Sequence, residues 1–168
     1  LLVSVQVAGF IAGLYGGHLS DSWGRKRVML TGIALMVVGY VVAAAMNSPY
    51  YVNPYVTFIG FLLASVGLSF ASPAEEAMMI DVSTVQNRKF IYAMIYWVIN
   101  LSIMIGASLG GWFFKTARFE LLIGTALGAL ISLLIVLFWI TETLPVERRQ
   151  KQGRSVWAVI KNYRIVLL

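Results

Sequence analysis

Hydrophobic residues along the chain fall into five long runs separated by short polar stretches. A helix of about 20 apolar residues crosses the hydrocarbon core of a bilayer, about 30 Å thick, since each residue adds about 1.5 Å. The pattern therefore predicts an all-α protein, a polytopic transmembrane helix bundle. The predicted spans cover approximately residues 1–20, 28–46, 54–80, 90–114 and 119–141.

Composition supports a membrane protein and narrows its partners. The chain is 60% hydrophobic and 12% charged, whereas soluble domains are about half apolar and about a quarter charged. The net charge of +6 could indicate nucleic acid in a soluble protein. Here the basic residues collect in the short connections, so we expect no nucleic-acid partner. Because cysteine is absent, the sequence offers no thiolate metal site or disulfide framework.

The distribution of basic residues orients the bundle. Cytoplasmic connections are enriched in Lys and Arg. If the turn at 17–27 is cytoplasmic, eleven of the thirteen basic residues lie on that side, and only Lys115 and Arg118 lie outside. We therefore expect a multi-pass protein of the cell membrane, with this turn and the linker at 142–164 in the cytoplasm.

Two regions of different character are predicted along the chain. Residues 1–144 form the transmembrane bundle. Residues 145–168 form a cytoplasmic linker with an amphipathic interfacial helix, and a further apolar run begins at its end. Since the chain starts at Leu1 rather than methionine, we expect it to be an internal piece of a longer membrane protein.

Three charged residues are predicted to meet at the cytoplasmic surface. Asp21 and Arg25 are four residues apart, so that on a helical turn they face each other. Asp81 closes the third run, which must also end on the cytoplasmic side. We expect one charge cluster, the alternative being three separate interfacial charges.

Two further acids lie deeper in the third run. Glu75 and Glu76 precede Asp81 by about 8–9 Å of helix, and neighbours on a helix point about 100° apart, so both cannot serve one narrow site. Pro73 should bend the helix and free the carbonyl of Ser69. One glutamate is predicted to face a central cavity and to bind a cationic substrate or a proton. Alternatively, the two reach the inner interface or pair with a loop arginine.

Other polar residues are candidates for lining the cavity. Tyr92, Tyr96 and Asn100 follow one another by four residues along one face of the fourth run, and Gln6 is a lone polar group in the first. Aromatic rings with a few polar groups suit flat lipophilic cations. Ordinary helix packing is the alternative for both.

Small residues recur every fourth position in three of the runs. At this spacing they let helix backbones approach closely in a bilayer. The repeats therefore predict helix–helix contacts at Gly9, Gly13 and Gly17, at Ser102, Gly106 and Gly110, and at Gly124 and Gly128.

Two motifs resemble those of a known family. The turn Gly-x-Leu-x-Asp-x-x-Gly-Arg-Lys resembles the loop between the second and third helices of major facilitator superfamily transporters. In the fourth run, a glycine-rich stretch is similar to the antiporter motif of that family's fifth helix, with Ala107 in place of proline. The matching residues are Gly17, Leu19, Asp21, Gly24, Arg25 and Lys26 in the turn and Gly106, Gly110 and Gly111 in the stretch.

The resemblance extends over nearly the whole chain and is strongest with the drug:proton antiporter branch. It implies helices two to six of an amino-terminal six-helix half, in which Asp21, Arg25 and Asp81 hold the inward gate shut. It also implies export of lipophilic, often cationic, drugs in exchange for protons by alternating access. We therefore expect a small lipophilic substrate, protons and membrane lipids as partners, a proton gradient as the energy source, no cofactor or metal, and a monomer.

Other functions are less well supported by the sequence. A proton-coupled symporter of a small polar organic solute is the alternative within transport. A membrane-embedded enzyme would need a nucleophile, a base or metal ligands, and one histidine without cysteine supplies few of these. A structural or receptor protein would not need Glu75 and Glu76. We expect the protein not to be an enzyme.

Overall fold

The computed structural model describes residues 2–144, and the predicted linker and amphipathic helix at 145–168 lie outside this range. The described residues form five long helices and one small hairpin. The helix ends differ from the predicted spans by only a few residues. The helices are α1 (Leu2–Trp23), α2 (Arg25–Ala45), α3 (Pro54–Val82), α4 (Arg88–Phe113) and α5 (Arg118–Trp139).

Four of these helices are long and apolar enough to cross a membrane, namely α2, α3, α4 and α5. The sequence predicted five such spans. Although α1 has 22 residues, it is less apolar because Gln6, several glycines and a polar end at Ser20, Asp21 and Ser22 interrupt its hydrophobic side chains.

The connection between α2 and α3 is more ordered than the predicted turn. Its two strands, β1 (Asn47–Ser48) and β2 (Tyr51–Val52), pair as an antiparallel hairpin. Asn53 then caps α3, because its side-chain oxygen accepts hydrogen bonds from the first free backbone N–H groups at 3.1 and 3.2 Å. Pro54 follows at the first helical position, where its missing N–H costs nothing.

Helices α2 and α3 cross with their backbones in direct contact. A Cβ atom added to Gly39 would lie 2.5 Å from the carbonyl oxygen of Gly60, and one added to Gly60 would lie 2.7 Å from that of Gly39. Two turns away, Gly32 and Gly67 form the same reciprocal contact, at 2.6 and 2.5 Å. Glycines seven residues apart on both helices therefore allow this close approach. The four-residue repeats of small residues in the sequence did not indicate this contact.

Helix α1 packs against α3 through its glycine face, as its repeat predicted. A Cβ atom on Gly9 would lie 2.8 Å from the hydroxyl oxygen of Ser69, and one on Gly17 would contact Pro73 at 3.6 Å. The tightest position is Gly16, outside the predicted repeat, where a Cβ atom would overlap the carbonyl group of Phe70.

Helix α5 covers α2 with alanines rather than with glycines. Leu122, Ala126 and Ala129 are buried, whereas a Cβ atom on Gly124 or Gly128 would meet nothing within 4 Å. The predicted contact through these glycines is therefore wrong within residues 2–144, because the helix turns its alanine face toward the bundle. Near the charged turn, Val136 joins a hydrophobic core formed with Val28, Met29, Ile33, Ala74 and Met78.

Helix α4 stands largely apart from the rest of the described chain. None of its residues is buried, and its contacts are few: it lies beside α5, and Arg88 at its start donates a hydrogen bond to the carbonyl of Ile80 in α3 at 3.3 Å. Cβ atoms on Gly106, Gly110 and Gly111 would meet nothing within 4 Å. The close packing predicted for this glycine face is therefore not present among residues 2–144.

Candidate functional site

An open cavity of about 390 Å³ lies between α1 and α3. The Gly9 contact brings the two helices together beside it. The cavity joins the predicted lining residue Gln6 with Glu76, one of the two predicted coupling acids. Its lining residues are Gln6, Gly9 and Phe10 from α1 and Ser69, Ser72, Pro73 and Glu76 from α3.

Four polar side chains of this cavity have no partner within the described chain. The amide of Gln6, the hydroxyl groups of Ser69 and Ser72 and the carboxylate of Glu76 form no hydrogen bond or ion pair with residues 2–144. Gln6 and Glu76 are exposed and Ser69 and Ser72 are half-buried. The cavity therefore presents all four polar groups to a ligand that enters it.

A main-chain oxygen adds to this set. Helix α3 continues through Pro73, which has no N–H to donate to the carbonyl of Ser69. That carbonyl faces α1, since a Cβ atom on Gly13 would lie 3.4 Å from its oxygen. The predicted freeing of the Ser69 carbonyl thus coincides with the cavity.

The two neighbouring glutamates serve different surfaces. Glu76 lines the cavity beside α1, whereas Glu75 lines a separate groove of about 370 Å³ that includes Met29, Thr141 and Thr143. This separation agrees with the angle of about 100° between neighbours on a helix. Of the two candidates, Glu76 is the one beside Gln6, and its coupling role remains a prediction.

The aromatic face of α4 is not part of this cavity. Tyr92 and Tyr96 are 41% and 69% exposed, and the side-chain amide of Asn100 donates a hydrogen bond to the carbonyl of Tyr96 at 2.7 Å. Within the described chain, these residues do not meet Gln6 or Glu76, because α4 lies apart from α1.

A second polar site lies at the end of the bundle. Arg25 is 9% exposed and reaches from the start of α2 to the end of α3. Its Nη1 atom forms an ion pair with Asp81 and donates a hydrogen bond to the carbonyl of Ala77 at 2.7 Å. The structure therefore brings together two of the three residues of the predicted charge cluster.

The third residue, Asp21, does not join this pair. Within residues 2–144, it forms no ion pair. The helix that would place it opposite Arg25 ends at Trp23, and Gly24 adopts φ 113° and ψ 141°. The predicted helical pairing of Asp21 and Arg25 is wrong because this conformation, which favours glycine, turns the chain between them.

Other residues of the turn motif have structural contacts. Gly17 lies against Pro73, and Leu19 packs against the hydrophobic core. The ammonium group of Lys26 donates a hydrogen bond to the carbonyl of Leu137 at 2.8 Å, near the end of α5. The motif thus joins α1, α3 and α5.

Glu142 is an acid at this site that the sequence reasoning did not assign to the cluster. Its Oε1 atom accepts hydrogen bonds from the backbone N–H of Arg25 at 3.0 Å and from that of Leu144 at 3.1 Å. Glu142 lies just beyond the last apolar helix. The available signal was an acid at the end of an apolar run, but the contact joins residues 117 positions apart.

Comparison with known proteins identifies the family. The Major Facilitator Superfamily matches residues 1–168. A Na(+), Li(+), K(+)/H(+) antiporter of Planococcus maritimus is 31% identical over 99% of this chain and 41% of its own length. The uncharacterized MFS-type transporter YqjV of Bacillus subtilis is 31% identical over 67% of this chain and 26% of its own length.

More distant relatives include the multidrug resistance protein MdtH of Photorhabdus laumondii. It is 22% identical over 90% of this chain and 37% of its own length. The chain thus spans less than half the length of each of these relatives. With the five helices of residues 2–144, the charged turn and the match along all 168 residues, the chain belongs to the major facilitator superfamily of membrane transporters.

Proposed function

We propose that the full-length protein exports a monovalent metal cation from the cytoplasm in exchange for protons, and that Glu76 binds the cation and the proton alternately. The observation that carries this proposal is the cavity between α1 and α3, where a carboxylate, an amide and two hydroxyl groups have no partner within residues 2–144. The 31% identity to a protein named as an alkali-cation/proton antiporter supports it.

The chemistry of exchange follows from having one carboxylate in the cavity. A charge within a membrane span is costly, so a carboxylate there is stabilised when it pairs with a bound cation or takes up a proton. Glu76 can be neutralised by either one. Arrival of a proton therefore favours release of the cation, and arrival of a cation favours release of the proton. Such competition couples the two flows without a cofactor.

The donor atoms favour a small cation. Hard cations bind carboxylate, carbonyl and hydroxyl oxygens, and the cavity offers these from Glu76, Gln6, Ser69 and Ser72. The Ser69 carbonyl, freed by Pro73, is a further oxygen on the same helix. Each of these ligands is weak alone, which suits a site that must release its ion in every cycle.

Export of lipophilic cationic drugs, as the sequence resemblance implies, is the second candidate. It is favoured by the relatives named as multidrug resistance proteins and by Phe10, the aromatic residue in the cavity. A flat cation would need more aromatic contacts, and within residues 2–144 the tyrosines of α4 lie elsewhere.

The gate belongs to the same proposal. Arg25 and Asp81 tie the start of α2 to the end of α3 on the side that the basic residues assign to the cytoplasm. We infer that this pair holds one state of the alternating-access cycle.

The test is transport by the full-length protein in proteoliposomes with an imposed pH gradient. Proton flux is followed with a trapped pH-sensitive dye after addition of Na⁺, Li⁺ or K⁺, and in parallel with a lipophilic cationic dye as substrate. The variants are Glu76→Gln and the matched control Glu75→Gln. We expect metal-cation-dependent proton flux in the wild type, its loss in Glu76→Gln and its retention in Glu75→Gln.

The outcomes separate the candidates. Movement of the lipophilic dye without a response to metal cations would replace the first candidate by the second. Loss in Glu75→Gln with retention in Glu76→Gln would reject Glu76 as the coupling group. Uptake of a polar solute together with protons would indicate a symporter, and a wild type that responds to no cation would overturn antiport altogether.

A further inference from the structure

We propose that Glu142 is a positioning residue for the gate: it holds the backbone of Arg25 so that the guanidinium reaches Asp81. This inference rests on the proposed gating role of the Arg25–Asp81 pair. It assigns a function in transport to an acid that is 117 residues from Arg25 in the chain and outside the turn motif.

The first step is the exposed start of α2. The backbone N–H of Arg25, the first residue of α2, has no acceptor within the helix. Gly24 precedes it and forms no side-chain cap. Glu142 supplies the missing acceptor, with a distance of 3.0 Å between the backbone nitrogen of Arg25 and Oε1. Its negative charge at a helix N-terminus is also stabilised by the helix dipole.

The second step is the orientation of Glu142 itself. The same Oε1 atom accepts the backbone N–H of Leu144 at 3.1 Å. Leu144 is 5% exposed and so anchors the segment that leaves α5. The hydrogen bond to Leu144 therefore fixes the orientation of the carboxylate toward Arg25. Through this carboxylate, the position of the segment after α5 determines the position of the start of α2.

The third step is the sensitivity of the gate to that position. Both polar contacts of the Arg25 guanidinium use Nη1, with Asp81 and with the carbonyl of Ala77, while the buried Nε atom has no partner within residues 2–144. Because a single nitrogen atom makes both contacts, a small displacement of the Arg25 backbone weakens them together. Lys26 braces the same place through its hydrogen bond to Leu137.

The test combines hydrogen exchange with transport in the full-length protein. Exchange is measured by mass spectrometry on peptides covering 19–27 and 77–84, in wild type, Glu142→Ala, Glu142→Gln and the matched control Glu120→Gln. Glu120 is an exposed acid in the first turn of α5. Glu142→Gln keeps an oxygen acceptor on a side chain of the same length.

We expect exchange at the Arg25 amide to rise about fivefold to tenfold in Glu142→Ala, together with faster exchange at 77–84. Glu142→Gln should restore most of the protection, and Glu120→Gln should not change it. In transport, Glu142→Ala should lower kcat and leave KM for the cation unchanged, because the cavity beside Glu76 is intact.

Several results would overturn the proposal: unchanged exchange in Glu142→Ala, a rise confined to 19–27, an equal rise along the whole chain, or a defect in Glu142→Gln as large as in Glu142→Ala. If Glu142→Ala does not fold, Lys26→Met removes the second brace, and unchanged exchange at 77–84 would then count against positioning. A wild type that transports no cation would refute the proposed function but leave this exchange pattern to be observed.

Discussion

The α2–α3 crossing and helix α4 use glycine with opposite results. In the crossing, Gly39 and Gly60 bring the two backbones so close that added Cβ atoms would lie 2.5 and 2.7 Å from carbonyl oxygens. In α4, Gly106 and Gly110 border open space within the described chain. The same residue type thus marks a close backbone contact in one place and no contact in the other.

The difference shows what glycine spacing encodes. In a bilayer, close packing rather than hydrophobic drive holds helices together, so that a face of small residues permits an interface. It does not specify the partner. The seven-residue spacing of glycines in α2 and α3 forms an interface because both helices have it and their glycines contact each other. The glycine face of α4 contacts no such counterpart among residues 2–144.

The largest effect is expected from filling the crossing. Gly39→Leu would drive a side chain into the backbone of Gly60 and into Ala64, neither of which can move without separating the helices. Overpacking a tight interface commonly costs about 1–3 kcal/mol, and we expect the upper end or more here. Thermal unfolding of the full-length protein in detergent measures this loss.

Gly128→Leu is the matched control for this change. It introduces the same side chain into a membrane helix, at a position where a Cβ atom meets nothing within 4 Å. We expect a change within about 0.5 kcal/mol. Equal losses in the two variants would contradict the importance of the α2–α3 crossing.

A smaller effect is expected from the charged end of the same helix pair. Asp81→Asn leaves Arg25, whose side chain is only 11% exposed, without its ionic partner. Losing a hydrogen bond to a charged group costs about 1.5–3 kcal/mol, but the 31% exposure of the Asp81 side chain reduces this to about 1 kcal/mol. The measurement is again thermal unfolding, with Asp21→Asn as the control.

Asp21→Asn should change the stability less than Asp81→Asn, since Asp21 forms no ion pair within residues 2–144. If the order of the two variants is reversed, the turn is held by Asp21 rather than by the pair described here. Arg25→Lys should keep little of the stabilisation that the Arg25–Asp81 pair supplies, because the ion pair and the Ala77 hydrogen bond both use the guanidinium.

The smallest effect is expected in α4. Gly110→Ala adds a methyl group in open space and replaces the poorest ordinary helix former by the best, so we expect unchanged or slightly raised stability. A loss above about 1 kcal/mol would show that the glycine face of α4 packs against residues outside 2–144. Unchanged stability with lost transport would support the antiporter role that the resemblance implies for this motif.

The sequence was sufficient for what depends on neighbours in the chain. Hydrophobic length predicted the five helices, and the angle between adjacent helical residues predicted that Glu75 and Glu76 face different surfaces. The freed Ser69 carbonyl followed from the chemistry of Pro73. Each of these inferences uses residues within one helix, where the geometry is known in advance.

What the sequence could not predict depends on where helices meet. The link from Glu142 to Arg25 joins residues 117 positions apart, and no local pattern marks it. The helical pairing of Asp21 with Arg25 failed through one backbone angle at Gly24. The tyrosines of α4 are residues of the type that lines ligand cavities, but the position of their helix keeps them from Glu76 within the described chain.

The short hairpin between α2 and α3 has a mechanical consequence. Asn47 is 7% exposed, and its amide donates to the Ala43 carbonyl and to the Thr57 hydroxyl, both at 2.8 Å. It therefore clamps the two helices at the end opposite to Arg25. With a polar contact at each end and glycine contacts between, α2 and α3 are held together over about 30 Å, so we expect a tilt imposed at the Arg25 end of the pair to move the hairpin end with it.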